Sequence, residues 1–138
     1  MNDYSKAHSY YEKVLIINRE ILSPDHPDLT TSYNNIAGLH ESIEEYSKAL
    51  SYYEIVLEIY QKILPPNHPT LADYYNIIAN IYENLGKYSK ALSFHQQALE
   101  IRQKTLPPDH HDLACSIEKI RMVSSQMDEH SKAIEYCE

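Results

Sequence analysis

Residues 46–69 read YSKALSYYEIVLEIYQKILPPNHP, and this stretch decides the fold. Ala49, Tyr52, Tyr53, Val56, Leu57, Tyr60 and Ile63 recur at spacings of three and four, which predicts an amphipathic helix with no competing strand alternation. Pro65-Pro66 stops that helix, because neither ring can donate the next backbone hydrogen bond. Asn67-His68-Pro69 then reads as a turn that places a proline at the first position of a second helix. A second stripe follows through Leu71, Tyr74 or Tyr75, Ile78, Ile81 or Tyr82 and Leu85, and Gly86 is a good C-terminal stop. Only Gly86-Lys87 separates this stripe from the next helix, so the two helices should run antiparallel.

The same pattern repeats along the chain. Tyr46-Ser47-Lys48-Ala49 is matched by Tyr4-Ser5-Lys6-Ala7 and Tyr88-Ser89-Lys90-Ala91, and weakly by His130-Ser131-Lys132-Ala133. Residues 4–45 agree with 46–87 at 22 of 42 positions, and 46–87 agree with 88–129 at 18 of 42, without a gap. Such a period marks stacked helical hairpins. The expected fold is all-α: a right-handed superhelix of antiparallel helical hairpins, an α-solenoid of about 3.5 repeats and seven helical segments. The units are 4–45, 46–87, 88–129 and a partial unit 130–138, forming one array. In each unit the second-type helix opens on the Tyr-Ser-Lys-Ala motif, and the first-type helix follows the proline turn.

These residues resemble the tetratricopeptide repeat, and more narrowly the 42-residue type of kinesin light chains. Tyr75, Ile78, Ala79 and Tyr82 on one helix and Ala91, His95 and Ala98 on the other carry the likeness. Tyr33, Ile36, Ala37, Ala49, Tyr53 and Val56 stand at the same places one unit earlier. The resemblance implies a protein- or peptide-binding scaffold, an adaptor similar to the cargo-binding repeats of those light chains. An alternative is the regulatory array of a larger multidomain enzyme or sensor. The third unit departs from the pattern: Arg121 replaces the small Ala37 and Ala79, Ser124 replaces Tyr82, and Asp128 replaces Gly86. Loose packing is expected there. The chain opens on a second-type helix and ends inside another, so the reading is a piece of a longer array, with self-association through uncapped ends as the other way to cover them.

Composition narrows the chemistry. Twelve Lys+Arg against 20 Asp+Glu give a net charge of −8, which argues against a nucleic-acid partner. The longest purely aliphatic run, Val14-Leu15-Ile16-Ile17, is far short of a membrane span, and Met1-Asn2-Asp3-Tyr4 opens no secretory signal. Two cysteines, Cys115 and Cys137, fit a reducing compartment, so a cytoplasmic protein is expected. Two glycines cannot build a phosphate loop or a dinucleotide fingerprint, and no Gly-x-Ser-x-Gly is present. His26, His68 and His110 recur at the 42-residue period before the turn position, as turn or capping residues would. His111 and Cys115, four apart with His110 adjacent and His95 one helix earlier, are the one set with metal-ligand spacing. The set lacks a hydrolase signature. The expectation is no catalytic residue, no metal and no cofactor.

Surface recognition remains. In arrays of this kind the first-type helices line a concave face, whose stripes here are Thr31, Asn34, Gly38 and Glu41; Asp73, Asn76, Asn80 and Glu83; and Cys115, Glu118, Met122 and Ser125. Peptide-binding residues are therefore expected at Thr31, Asn34, Glu41, Asp73, Asn76, Asn80, Glu83 and Glu118. Asparagine amides offer both a donor and an acceptor to a peptide backbone. Glu41, Asp73, Glu83 and Glu118 give the stripes a formal sum of −4 with no cation, so a basic or neutral segment is the expected partner.

Overall fold

The computed structural model describes the backbone of residues 2–23 and 26–137 and the side chains of residues 5–23 and 26–129. Six helices follow in order: α1 (Asn2–Ile21), α2 (Pro27–Ser42), α3 (Tyr46–Ile63), α4 (Pro69–Asn84), α5 (Tyr88–Thr105) and α6 (His111–Cys137). No strand occurs among the described residues. The helices gather into two compact units, residues 1–65 with α1–α3 and residues 66–138 with α4–α6. The chain is an all-α array of tetratricopeptide-like helical hairpins.

The periodic histidines start the first-type helices. The Nδ1 atoms of His26, His68 and His110 accept from the backbone N–H groups of Asp28, Thr70 and Asp112 at 3.1, 3.2 and 3.1 Å. Each satisfies one of the donors that a helix leaves orphaned in its first turn. Pro27 and Pro69 occupy the first helical position, where a missing N–H loses nothing. Leu64 and Leu106, each before a proline, are extended and end α3 and α5.

Both hairpins turn by the same backbone device. The Glu45 N–H bonds to the His40 carbonyl at 2.8 Å, and the Glu44 N–H to the Glu41 carbonyl at 3.0 Å. The Lys87 N–H bonds to the Tyr82 carbonyl at 2.8 Å, and the Gly86 N–H to the Glu83 carbonyl at 3.0 Å. This paired arrangement is the Schellman motif, and it needs a left-handed residue at its centre. Gly86 supplies φ 75° freely, whereas Glu44 adopts φ 61° against its side chain.

The third unit corrects the expectation of seven segments. At Asp128 the chain does not turn, and α6 runs unbroken for 27 residues to Cys137. The partial unit 130–138 therefore opens as a continuation of α6, and its side chains lie outside the described residues. The reason lies in packing. Glu44 is held left-handed because α2 packs on α3 through the buried Ile36, Ala37, Ala49 and Val56. Arg121 at the place of Ala37 is exposed and pairs with Glu118 at 3.6 Å, so nothing comparable holds a turn at Asp128.

The cores of the two hairpins match residue by residue. Ala37, Ala49, Ala79 and Ala91 are fully buried, as are Ile36, Ile78, Val56 and Ala98. Tyr52 stacks on His40 at 5.7 Å and lies 6.2 Å from Tyr33. At the equivalent places Phe94 stacks on Tyr82 at 5.6 Å and lies 6.0 Å from Tyr75. These rings contribute buried area and about 0.5–1.5 kcal/mol per pair beyond it.

Candidate functional site

Each unit carries a cleft where a second-type helix meets the following first-type helix, and the two clefts use the same register. In residues 1–65 a cleft of about 430 Å³ is lined by Tyr10, Tyr11, Val14, Asn18, Asp28, Thr31, Ser32 and Asn35. In residues 66–138 a cleft of about 170 Å³ is lined by Asn76, Asn80, His95, Arg102, Cys115, Ser116 and Lys119. Tyr11 and His95, Asn18 and Arg102, Thr31 and Cys115, Ser32 and Ser116, and Asn35 and Lys119 are all 84 residues apart, twice the period. One tie crosses each cleft at matching positions. Asn18 Nδ2 donates to Ser32 Oγ at 3.1 Å, and Arg102 Nη1 donates to Ser116 Oγ at 2.8 Å.

The second cleft is organised by His95, which is 1% exposed. Its Nε2 lies 3.1 Å from Glu83 Oε2, and its Nδ1 lies 3.0 Å from the Asn76 amide. Burial holds the imidazole below its ordinary pKa, against the opposing pull of the Glu83 carboxylate, so His95 is neutral near pH 7. A neutral ring donates once, and the carboxylate requires that donor at Nε2. Nδ1 is then an acceptor, which orients the Asn76 nitrogen toward it at 3.0 Å and the Asn76 oxygen toward Arg102 Nη1 and Nη2 at 3.0 and 3.1 Å. Arg102 Nη2 also reaches Asp73 Oδ1 at 3.3 Å, and Lys119 Nζ stands 3.7 Å from Glu83. The result is a continuous relay, Asp73–Arg102–Asn76–His95–Glu83–Lys119, joining α4, α5 and α6.

The first compact unit, residues 1–65 (unit 1, with residues 66–138 as unit 2), has the counterpart of one link. Tyr53, at the register of His95, donates its hydroxyl to Glu41 Oε2 at 3.0 Å. A further cluster closes the hairpin: His40 Nδ1 meets Glu45 Oε2 at 2.8 Å and His40 Nε2 meets His8 Nε2 at 3.3 Å. The bond from His40 holds the Glu45 carboxyl below its ordinary value, with Lys48 at 3.5 Å adding to it.

Of the expected site residues, Thr31, Asn76 and Asn80 line clefts. Glu41, Glu83 and Asp73 are engaged by Tyr53, His95 and Arg102 within their own units. Asn34 is partly buried, and Glu118 is exposed beside Arg121. The Asn80 Oδ1 atom is buried with no hydrogen-bond partner. Helix-by-helix reading missed Asn18, Ser32, Asn35, Arg102, Ser116 and Lys119. One signal was available: Arg102 replaces Tyr60 on an apolar stripe, which brings a cation inward. The stripe sum of −4 accordingly left out Arg102 and Lys119. His111 Nε2 and Cys115 Sγ are 3.3 Å apart, but no group of three metal-capable side chains forms among the described residues.

The tetratricopeptide repeat family model matches residues 1–62, 46–104 and 70–138, so the chain belongs to that family. Among solved structures it is similar to a Podosopora anserina protein described as a kinesin light chain with nearly identical TPR-like repeats. That match has 22% identity and a TM-score of 0.79, over 97% of this chain and 64% of the other. It is also similar to BtubC (BKLC) from P. vanneervenii, at 24% identity and a TM-score of 0.80, over 97% of this chain and 54% of that one. The N-terminal domain of stress-induced protein-1 from C. elegans matches at 17% identity and a TM-score of 0.63, covering 89% of this chain and 83% of that one. At these identities the likeness is one of fold. The chain spans 64% and 54% of the first two proteins' lengths. No curated protein sequence matches it. Among the described residues no helix is long and apolar enough to cross a membrane.

Proposed function

We propose that the chain is a non-catalytic scaffold that holds an extended protein or peptide segment in its clefts, as a cytoplasmic adaptor similar to the cargo-binding repeats of kinesin light chains. Tetratricopeptide repeats generally serve as protein-interaction scaffolds, which supports the coarse part of this reading. The observation that carries the rest is the Asn80 Oδ1 atom, a buried acceptor without a donor in a polar cleft. An orphan of this kind costs about 1–3 kcal/mol in the free protein, and turning the Asn80 amide into the cleft would let a backbone N–H of a bound segment satisfy it. Thr31 offers a further hydroxyl, and Asn76 the second hydrogen of its amide nitrogen, in the two clefts.

The preferred segment is basic or neutral. The chain carries −8 overall, and Asp28 is the one ionised residue lining the unit 1 cleft. In unit 2, Arg102 and Lys119 stand against Asp73 and Glu83, so that cleft is near neutral and contributes recognition through polar atoms. Glu41 and Glu118 add negative charge at the stripe edges. Self-association through the array ends belongs to the same reading as a separate mode of contact.

An unbiased peptide display screen, followed by titration of the best peptides, tests this. Asn80→Ala should weaken binding about fivefold or more, the scale of one buried hydrogen bond, while leaving the melting temperature unchanged or raised. Enriched peptides that are strongly acidic, or an Asn80→Ala chain that binds equally well, would refute the assignment.

A further inference from the structure

Two residues of the first repeat, 4–45, break the pattern and meet at one place. His8 stands where Leu50 and Leu92 stand one and two periods later, and His40 stands where Tyr82 and Ser124 stand. The fold brings the two histidines together across a separation of 32 residues. His8 Nε2 lies 3.3 Å from His40 Nε2. Glu12 Oε1, one turn along α1, lies 3.7 Å from the same His8 nitrogen. A cavity of about 360 Å³ opens beside them, lined by these three residues and by Lys48, Ser51 and Tyr52. None of the six lines either peptide cleft.

We propose that His8 and His40 form a zinc site that ties α1 to α2, with Glu12 closing on the ion as the third ligand. Spacing is the first reason. Two imidazole nitrogens on one tetrahedral zinc, each at about 2.0–2.1 Å from the ion, stand about 3.3–3.4 Å apart. The observed 3.3 Å already meets that separation, so the ion fits without a shift of either helix. Orientation is the second reason. Zinc-bound histidines hand their other ring N–H to a carboxylate or carbonyl, which fixes the tautomer. His40 Nδ1 meets Glu45 Oε2 at 2.8 Å, and Tyr52 stacks on the same ring at 5.7 Å. With its proton at Nδ1, His40 has a free lone pair at Nε2, and the proton between the two rings belongs to His8. Zinc takes the place of that proton, and His8 carries its own at Nδ1 instead.

Charge and access agree with this. Lys48 is the one lysine of the cavity, and Glu45 pairs with it at 3.5 Å. Glu12, Glu45 and Lys48 together leave a formal charge of −1 around the two rings, which favours a cation. Among the described residues no three metal-capable groups converge, and here two are in place and the third is near. The Glu12 side chain is half exposed, so it has room to swing onto the ion, and water from the cavity completes the four positions. The proposal does not rest on peptide binding, because zinc uptake is read with no peptide present.

Calorimetric titration of the chelator-stripped full chain with zinc tests it, with thermal melts followed alongside. The expected result is one zinc per chain at a micromolar dissociation constant, and a melting temperature that rises with added zinc. His8→Leu should weaken zinc binding about a hundredfold or more. The fold should tolerate it, because Leu50 and Leu92 hold the same place in the other repeats, and circular dichroism checks this. Glu45→Gln, which alters only the orienting bond, should weaken binding about tenfold. Replacing His111 with Gln and Cys115 with Ser together should leave the affinity unchanged, and the cobalt-loaded chain should show no thiolate absorption band. No saturable zinc uptake, an unchanged affinity in His8→Leu or Glu45→Gln, loss of binding in the His111 and Cys115 variant, or a thiolate band would overturn the proposal.

Discussion

Replacing His95 separates the relay of unit 2 from simple packing. The imidazole is almost fully buried and ties two helices, through Glu83 at 3.1 Å and Asn76 at 3.0 Å. His95→Ala removes the ring, leaves a void, and strands the Asn76 amide nitrogen, whereas the Glu83 carboxylate keeps Lys119 at 3.7 Å. One void and one unsatisfied buried group together amount to about 3 kcal/mol. His95→Tyr should be milder, because Tyr53 already makes the equivalent bond to Glu41 at 3.0 Å. Only the bond to Asn76 is lost, at about 1 kcal/mol. The pH dependence adds a second readout. Burial places the folded imidazole below its ordinary value of 6.5, so the unfolded chain takes up the proton first. His95 thus supports the fold fully above pH 6.5, and that support is lost as pH falls through the folded pKa. Urea unfolding followed by circular dichroism at several pH values measures both effects. The native chain should lose more stability between pH 7 and pH 5 than His95→Tyr does. Equal acid sensitivity of the two chains, or a negligible effect of His95→Ala, would refute the relay.

Two further substitutions and one exchange pattern follow from the same geometry. Glu44→Gly should stabilise residues 1–65 by about 1 kcal/mol, because the left-handed turn at φ 61° no longer strains a side chain, and a thermal melt reads it. Ala91→Arg should lower stability by several kcal/mol, since Ala91 is fully buried, and an unaltered urea midpoint would contradict the packing. Amide hydrogen exchange should be fastest from His111 onward along α6 and slowest in α3 and α4, where buried side chains are dense; uniform protection would contradict this order.

The fold was legible because local chemistry and period agreed. Apolar spacing set the helices, prolines and Gly86 set the breaks, and the recurring His26, His68 and His110 capped the helix starts. Glu44 was not legible as a turn centre, because glutamate has no preference for left-handed backbone and is held there by tertiary packing. Asp128 shows the converse: with Arg121 exposed beside it, α6 simply continues. The clefts were half legible. Thr31, Asn76 and Asn80 lie on the first-type stripes that periodicity reveals, whereas Arg102 and Lys119 arrive from helices read separately. Their encounter is a tertiary fact. The replacement of Tyr60 by Arg102 within a buried stripe was the one trace of it in the sequence.

The most direct test of the central claim is where a bound peptide sits. Titrating the isotopically labelled chain with the tightest display-selected peptides, and following amide and Asn side-chain resonances by NMR, locates the contact. Binding in the clefts predicts the largest shifts at Thr31, Asn76 and Asn80, with the Asn80 side-chain amide among them. Shifts confined to outward positions such as Glu58, Lys62 and Glu100, with the Asn76 and Asn80 signals unmoved, would contradict it.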